Sequence, residues 1–345
     1  MKKTILSLVL IFSSIVLFAQ SEQENTNKWI DSYTNWNNSK DWSSMISNFD
    51  ACIKEIPNWS WAYYYKGMAE FNTNDNQNAI NDFSIFISKI DTLAQVYSLR
   101  ANAYLNNNQA QEAIKDLDKY LSFVPNDVNT IMSKANAHLM LNDNDAYIND
   151  LTQVITIDNK NVEAYKNRAA AYGQKQNWQN VINDLTMAIN IDPQASFYND
   201  RAYANYALQI EESFKNAVAD YTKAEEMGVK TVQLYTARSV CNKALKNYAN
   251  EIKDYDNLLA LNPSESSIYY RRAMANYNMK QFKGAIADLD KYLSANPKDV
   301  KGYMLRANCK NQVKDAKGAA LDAAKVNELQ GKPAQKPAKP MPKKK

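Results

Sequence analysis

A single histidine, three cysteines and seven glycines among 345 residues leave this chain short of the groups that catalysis, metal binding and phosphate cradles draw on. His138 has no second His or Cys at metal or nucleophile spacing, and no glycine-rich phosphate loop is present. The expectation is therefore no catalytic, cofactor-binding or metal-binding residue, with His138 a spacer in the interior. Long apolar runs are also scarce. The only one, from Ile5 to Phe18, follows Lys2 and Lys3 and ends at Ala19, which is the layout of a secretory signal peptide and is shorter than the ~20 residues that span a bilayer. Residues 1–19 are expected to be cleaved off, leaving no transmembrane span. No cysteine stands at the cleavage point to carry a lipid, so the mature chain is expected to be periplasmic or secreted.

What remains is material for a folded, helix-rich body. Aromatic residues make up 11% and charged residues 23%, too much core for a disordered chain and too many charges for a multi-span membrane protein. Between Gln20 and Gly331 there are 33 basic and 37 acidic groups, whereas the last fourteen residues hold six lysines, no acid and four of the nine prolines. Residues 332–345 read as an extended Lys/Pro-rich tail, with weak attraction to an anionic envelope surface as its sharper reading. The acidic body argues against nucleic acid, because phosphate binding needs a basic face.

The other five prolines, Pro57, Pro125, Pro193, Pro263 and Pro297, stand 68, 68, 70 and 34 residues apart. That is a 34-residue period, with two extra residues between Pro193 and Pro263. The segment EAIKDLDKYLSFVPND from Glu112 returns as GAIADLDKYLSANPKD from Gly284. Within a unit, Tyr97, Arg100, Ala101 and Tyr104 fall at i, i+3, i+4, i+7, and after a polar break Ala113, Leu117 and Tyr120 fall at i, i+4, i+7. Each set is one stripe on one helix. Pro125 stops the second helix and Asp127 is placed to cap the next. Neither helix can bury its stripe alone, so the units must stack.

These residues resemble the tetratricopeptide repeat family. The likeness is strongest around Tyr63, Gly67, Ala79 and Phe83; around Tyr165, Ala169, Tyr172, Leu185 and Pro193; and around Tyr269, Ala273, Ala285 and Leu289. After a short linker at 20–25 it covers 26–331 as nine units, starting near Thr26, Ser60, Ala94, Val128, Val162, Ala195, Val232, Ser266 and Val300. The resemblance implies an all-α, right-handed superhelical solenoid of about nine 34-residue helix-turn-helix repeats, its concave face lined by the first helices. In the sixth unit LQIEESFK is expected to lengthen the turn by three residues, and no proline closes the second helix. In the seventh, Glu251 replaces a small alanine and puts local packing in question. The first unit, with Trp29 and Trp36, and the last, with Ala319 and Ala323, are degenerate as terminal units often are.

Units two to nine each carry a cation at position 7, counting from the first residue of the unit: Lys66, Arg100, Lys134, Arg168, Arg201, Arg238, Arg272 and Arg306. The same units carry Asp82, Asp116, Asp150, Asp184, Asp220, Asp254, Asp288 and Asp322 on their second helices, and the first unit lacks both, having Ser32 and Asn48. Their joint absence points to pairing inside a unit, shielded but not buried; the alternative is two solvent-facing charges. Cys241 and Cys309 hold matching positions two units apart, too far for a disulfide.

The resemblance further implies that positions 2, 5, 9, 12 and 13 line the groove. Here they supply Trp61, Tyr64, Met68, Phe71, Asn102, Met132, Asn136, Tyr203, Tyr206, Tyr270, Met274 and Tyr277 as candidate partner-binding residues. The carboxylate clamp of some family members is absent, since Lys166 is followed by Ala170 and Lys301 by Leu305 where asparagine and arginine are wanted. Several of these aromatics have packing along the superhelix as their alternative role. The expected function is a non-catalytic exported scaffold that binds a peptide or protein partner. The alternative is a cell-envelope assembly factor that contacts glycan through its groove aromatics and basic tail.

Overall fold

The computed structural model describes residues 29, 35 and 38–331, so the expected signal peptide, linker and tail, and most of the first helix of repeat 1, lie outside the described residues. Among the described residues the chain is an all-α helical repeat solenoid of seventeen complete helices with no strand. It divides into two compact units that meet at Ala164 and Tyr165. The first holds α1 (Trp42–Glu55), α2 (Ser60–Asn72), α3 (Asn76–Lys89), α4 (Ala94–Asn106), α5 (Ala110–Phe123), α6 (Val128–Met140) and α7 (Asn144–Ile157). Within α8 (Val162–Gln174) the second begins, continuing with α9 (Trp178–Ile191), α10 (Ala195–Ala207), α11 (Glu211–Glu226), α12 (Val232–Ala244), α13 (Tyr248–Leu261), α14 (Ser266–Asn278), α15 (Phe282–Ala295), α16 (Val300–Gln312) and α17 (Ala316–Leu329).

The first helices of repeats 2 to 9 begin at the expected unit starts, 34 residues apart except for 33 from Val162 to Ala195 and 37 from Ala195 to Val232. Asp127 caps α6 as expected, its carboxylate accepting from the Thr130 amide at 3.2 Å. Small side chains let paired helices approach: Ala101 on α4 and Ala113 on α5 are fully buried and share a cluster with Leu117. The turn inside each repeat ends its first helix with a left-handed residue that is never glycine, among them Asn74, Asn108, Asn142, Gln176 and Lys280, with φ between 56° and 62°. In repeats 2 to 5 and 7 to 9 the amide of the following residue closes a six-residue ring, as Gln109 does on the Tyr104 carbonyl at 2.8 Å. Asn tolerates this conformation because its short polar side chain bonds locally.

Repeat 6 corrects one expectation. Its turn is no longer than the others, because Leu208, Gln209 and Ile210 separate α10 from α11 just as Asn107, Asn108 and Gln109 separate α4 from α5. The three extra residues instead add a turn to the start of α11. Glu211 and Glu212 suit that place, being acids in the first turn of a helix, and both pair with Lys215. Gly228, at φ 101°, ends this helix where other repeats use proline. In repeat 7, α13 forms regularly around Glu251, which is buried, accepts from the Tyr255 hydroxyl at 3.1 Å and has its carboxyl pushed up by burial.

The charges form a ladder more deeply set than expected. Each position-7 cation reaches the aspartate of its own repeat, and five of the six arginines do so through two guanidinium nitrogens on the two carboxylate oxygens, as Arg100 does on Asp116 at 2.7 Å twice. The aspartates are buried outright, from Asp254 at 1% exposure to Asp82 at 7%. Burial follows from position: the aspartate sits one residue before the core residue of its helix, Leu117 in repeat 3 or Leu185 in repeat 5.

The same cations also reach back to the preceding repeat, Arg100 to Ser84 at 2.9 Å, Lys134 to Asp118 at 2.7 Å and Arg306 to Asp290 at 2.7 Å. Pairing is thus within repeats and between them. Where lysine replaces arginine the internal pair loosens, to 3.2 Å for Lys66 on Asp82 and 3.8 Å for Lys134 on Asp150. An ammonium has no planar fork with which to match a carboxylate. His138 belongs to this network rather than acting as a spacer, its Nδ1 lying 2.7 Å from Asp150. Asn242 and Asn276 serve the aspartates of repeats 7 and 8 from the same position 11.

Candidate functional site

The first helix of each repeat turns positions 2, 5, 9 and 12 to one side, where side-chain size decides whether the groove is filled. Position 9 holds Met68, Asn102, Asn136, Tyr203 and Met274 in repeats 2, 3, 4, 6 and 8, and position 12 holds Phe71, Leu105, Leu139, Tyr206 and Tyr277. Repeat 5 has Ala170 and Gly173 at these two places. A cavity of about 560 Å³ opens there. It is built from α8, α9, α10, α11 and α12, all within the second unit, by Ala169, Ala170 and Gly173 on one side and Tyr203, Leu234 and Ala237 on the other.

The lining is mostly apolar, with Trp178, Val181 and Leu185 of α9 and Tyr221 of α11 behind the alanines. Trp178 and Tyr203 meet edge to face, centroids 5.8 Å apart and planes at 84°. Gln174, Asn199 and Gln233 add polar edges, and three further polar groups line it. Asp200 lines the cavity, takes one hydrogen bond from the Asn199 side-chain amide at 3.2 Å, and has its carboxyl pushed up by loss of water. Lys166 is exposed on α8 at the rim. Tyr221 is 2% exposed, and burial raises its phenol.

Of the twelve residues that the sequence nominates for the groove, Tyr203 lines this cavity and is 52% exposed. Trp61, Tyr64, Met68 and Phe71 are half-buried against Phe83, Phe86 and Val96, with Trp61 and Tyr64 5.2 and 5.3 Å from the Phe86 ring. Tyr206 packs on the core of repeats 6 to 8, Tyr270 on Tyr292 at 4.9 Å and Tyr277 on Phe282 at 5.6 Å. Asn102 and Met132 are half-buried, while Asn136 and Met274 are exposed. The cavity residues that sequence reasoning missed are Trp178, Asp200 and Tyr221. The signal that could have found them is the run RAAAYG from Arg168, the one place where small residues fill both position 9 and position 12.

No group of three His, Cys, Asp or Glu side chains is arranged to hold a metal among the described residues. The three cysteines are buried, and burial pushes the Cys309 thiol up to about 11. None of the described helices is long and apolar enough to cross a membrane.

Comparison with known proteins bears on the fold. The family model described as tetratricopeptide repeat matches residues 94–127 and 266–299, which are repeats 3 and 8. No curated protein matches the chain. Among solved structures, a tetratricopeptide repeat protein from Parabacteroides merdae is 16% identical, covering 73% of this chain and 99% of its own with a TM-score of 0.46. The C-terminal part of a repeat-containing protein from Cytophaga hutchinsonii is 16% identical over 70% of this chain and 97% of its own, TM-score 0.48. YrrB, described as having an unusual peptide-binding site, is 14% identical over 56% of this chain and 97% of its own, TM-score 0.45. Two repeats are matched by the family's model, and the same helix pair and turn recur from Ser60 to Leu329, so the described chain is an all-α solenoid whose repeats are similar to tetratricopeptide repeats.

Proposed function

We propose that this protein is a non-catalytic, exported scaffold that holds an extended segment of a protein partner in the groove of repeats 5 to 7. The observation that carries the reading is the cavity left by Ala170 and Gly173, walled by aromatic and aliphatic side chains with a few polar groups at its edge. Cavities of this size and lining accept one or two side chains of a ligand. The fold supports a scaffold because stacked repeats present a continuous surface.

The glycan alternative would need a row of open ring faces. Tyr203 is the nominated aromatic that exposes more than half its surface, and the others pack on neighbouring rings, so the peptide reading is preferred. Export rests on the Lys-apolar-Ala layout of residues 1–19, and intact mass of the mature protein tests it; a chain that keeps Met1 in the membrane fraction counts against it.

The function is tested by affinity capture from the native envelope with the wild-type protein and an Ala170→Trp variant in parallel. Partners held by the wild type and lost by the filled groove support the reading. Equal retention by both overturns it.

A further inference from the structure

The cavity of repeats 5 to 7 has a chemistry more specific than an apolar hollow. Its walls offer Trp178 and Tyr203 at right angles, and its floor offers Val181, Leu185 and Leu234. Such a pair of perpendicular rings suits a flat or cationic group, and the aliphatic floor suits a hydrocarbon stem.

Asp200 gives the charge. The ladder aspartates each face a cation, but Asp200 forms no ion pair among the described residues and has only the Asn199 amide for company. Its side chain is exposed at the cavity edge, where partial loss of water pushes the carboxyl up and the Asn199 amide offsets part of that effect. A second, independent group points the same way. Tyr221 lines the cavity at 2% exposure, and its hydroxyl has no hydrogen-bond partner among the described residues.

We infer that this cavity takes an arginine side chain of the partner peptide, its guanidinium packed on the Trp178 and Tyr203 ring pair and paired with Asp200. The inference rests on the groove reading above and names the residue that the groove selects. Arginine fits better than lysine because its planar fork stacks on rings and offers five donors, enough for both the Asp200 carboxylate and the Tyr221 hydroxyl. A leucine or tryptophan would fill the volume but leave the carboxylate without a counter-charge. Lys166 at the rim is the one opposing charge; it is exposed, and its flexible stem lets the ammonium turn to water or to an acidic residue beside the arginine.

The test uses the full chain and four blocked pentapeptides, Ac-Ala-Ala-Xaa-Ala-Ala-NH2 with Arg, Lys, Trp or Leu at the centre, titrated by NMR or calorimetry. The arginine peptide is expected to bind about tenfold more tightly than the leucine peptide, the scale of one charged hydrogen bond. Asp200→Asn should remove that preference without moving the thermal midpoint. Ala170→Met, which copies the residue of repeats 2 and 8, should abolish binding of all four while leaving the fold intact.

Equal binding of the arginine and leucine peptides, tryptophan as the best binder, or an unchanged preference in Asp200→Asn overturns the assignment. The two readings fail separately. If partner capture depends on Ala170 but no arginine preference is found, the arginine pocket falls and the groove stands. If capture ignores Ala170, the groove reading falls as well.

Discussion

Repeats 2 and 5 are built on the same helix pair and differ in what the first helix carries at four places. Repeat 2 has Lys66, Gly67, Met68 and Phe71 at positions 7, 8, 9 and 12, and repeat 5 has Arg168, Ala169, Ala170 and Gly173. In repeat 2 the groove side is occupied by the chain's own rings, and Gly67 lets the Phe83 ring lie where a methyl group would stand 2.9 Å away. In repeat 5 the bulk has been removed from the groove and the small residue at position 8 is an ordinary alanine. An aromatic groove position therefore says little about binding. The place with room for a ligand is where the aromatic is missing.

The largest effect that would sharpen this comparison concerns the ladder. Arg168→Met would strand Asp184, which is 4% exposed, and should destabilise repeat 5 by ~3 to 5 kcal/mol, read by urea unfolding with hydrogen exchange localised to α8 and α9. A double-mutant cycle with Asp184→Ala isolates the pair. The contact between repeats made by Lys134 and Asp118, whose side chain is 54% exposed, should couple by only ~0 to 1 kcal/mol. If the coupling between repeats is the larger, the ladder holds neighbours together more than it holds helix pairs.

Gly67→Ala comes next. Its methyl group would overlap the edge of Phe83, a ring packed on all sides in the core of repeat 2, and a loss of ~1 to 3 kcal/mol is expected. Comparable thermal midpoints for the variant and the wild type would mean that the Phe83 ring can shift.

The third prediction uses pH. Glu70 stands at position 11 of repeat 2, where repeats 7 and 8 have asparagine and repeat 5 has Tyr172. It is 3% exposed, and one ammonium serves it and Asp82, Lys66 lying 3.3 Å and 3.2 Å from the two. Burial and then the Asp82 charge push its carboxyl up to about 8 from 4.5. Between those values the folded chain holds a proton that the unfolded chain has released, so the stability of repeat 2 falls as pH rises from 4.5 to 8 and stays low above it. Glu70→Gln should flatten that slope and be the more stable form at pH 8 by at least ~1 kcal/mol. Identical pH profiles for the two proteins would show that the pair is not strained.

Most of the fold was legible because the period is rigid. Eight first helices begin at the unit starts read from the sequence, and Asp127, Ala101 and Ala113 act as their residue types require. The ladder was legible as a pattern but not in depth, since sequence spacing alone does not show that Asp116 sits beside Leu117 at the centre of the helix pair. The insertion in repeat 6 was misplaced because acids such as Glu211 and Glu212 suit a turn and a first helical turn equally. The cavity was the hardest to see. Apolar and aromatic residues draw attention to positions they fill, while a cavity is written in Ala170 and Gly173, residues that look like spacers.

The smallest expected effect tests that last point most directly. Gly173 lies in α8 with ordinary helical φ, and a methyl group placed on it would meet only Trp178 Cζ3 and Val181 Cγ2, both at 3.9 Å. Replacing a helical glycine by alanine restricts the unfolded chain and stabilises by ~0.5 to 1 kcal/mol, toward the lower end here because the residue is in the last turn. The same methyl group occupies part of the cavity. Gly173→Ala should therefore raise the unfolding midpoint while weakening partner binding, the opposite of what Gly67→Ala does to stability in repeat 2. Stability and binding moving in opposite directions is what a space kept open for a ligand requires; a variant that binds as well as the wild type would mean that the ligand contacts the groove elsewhere.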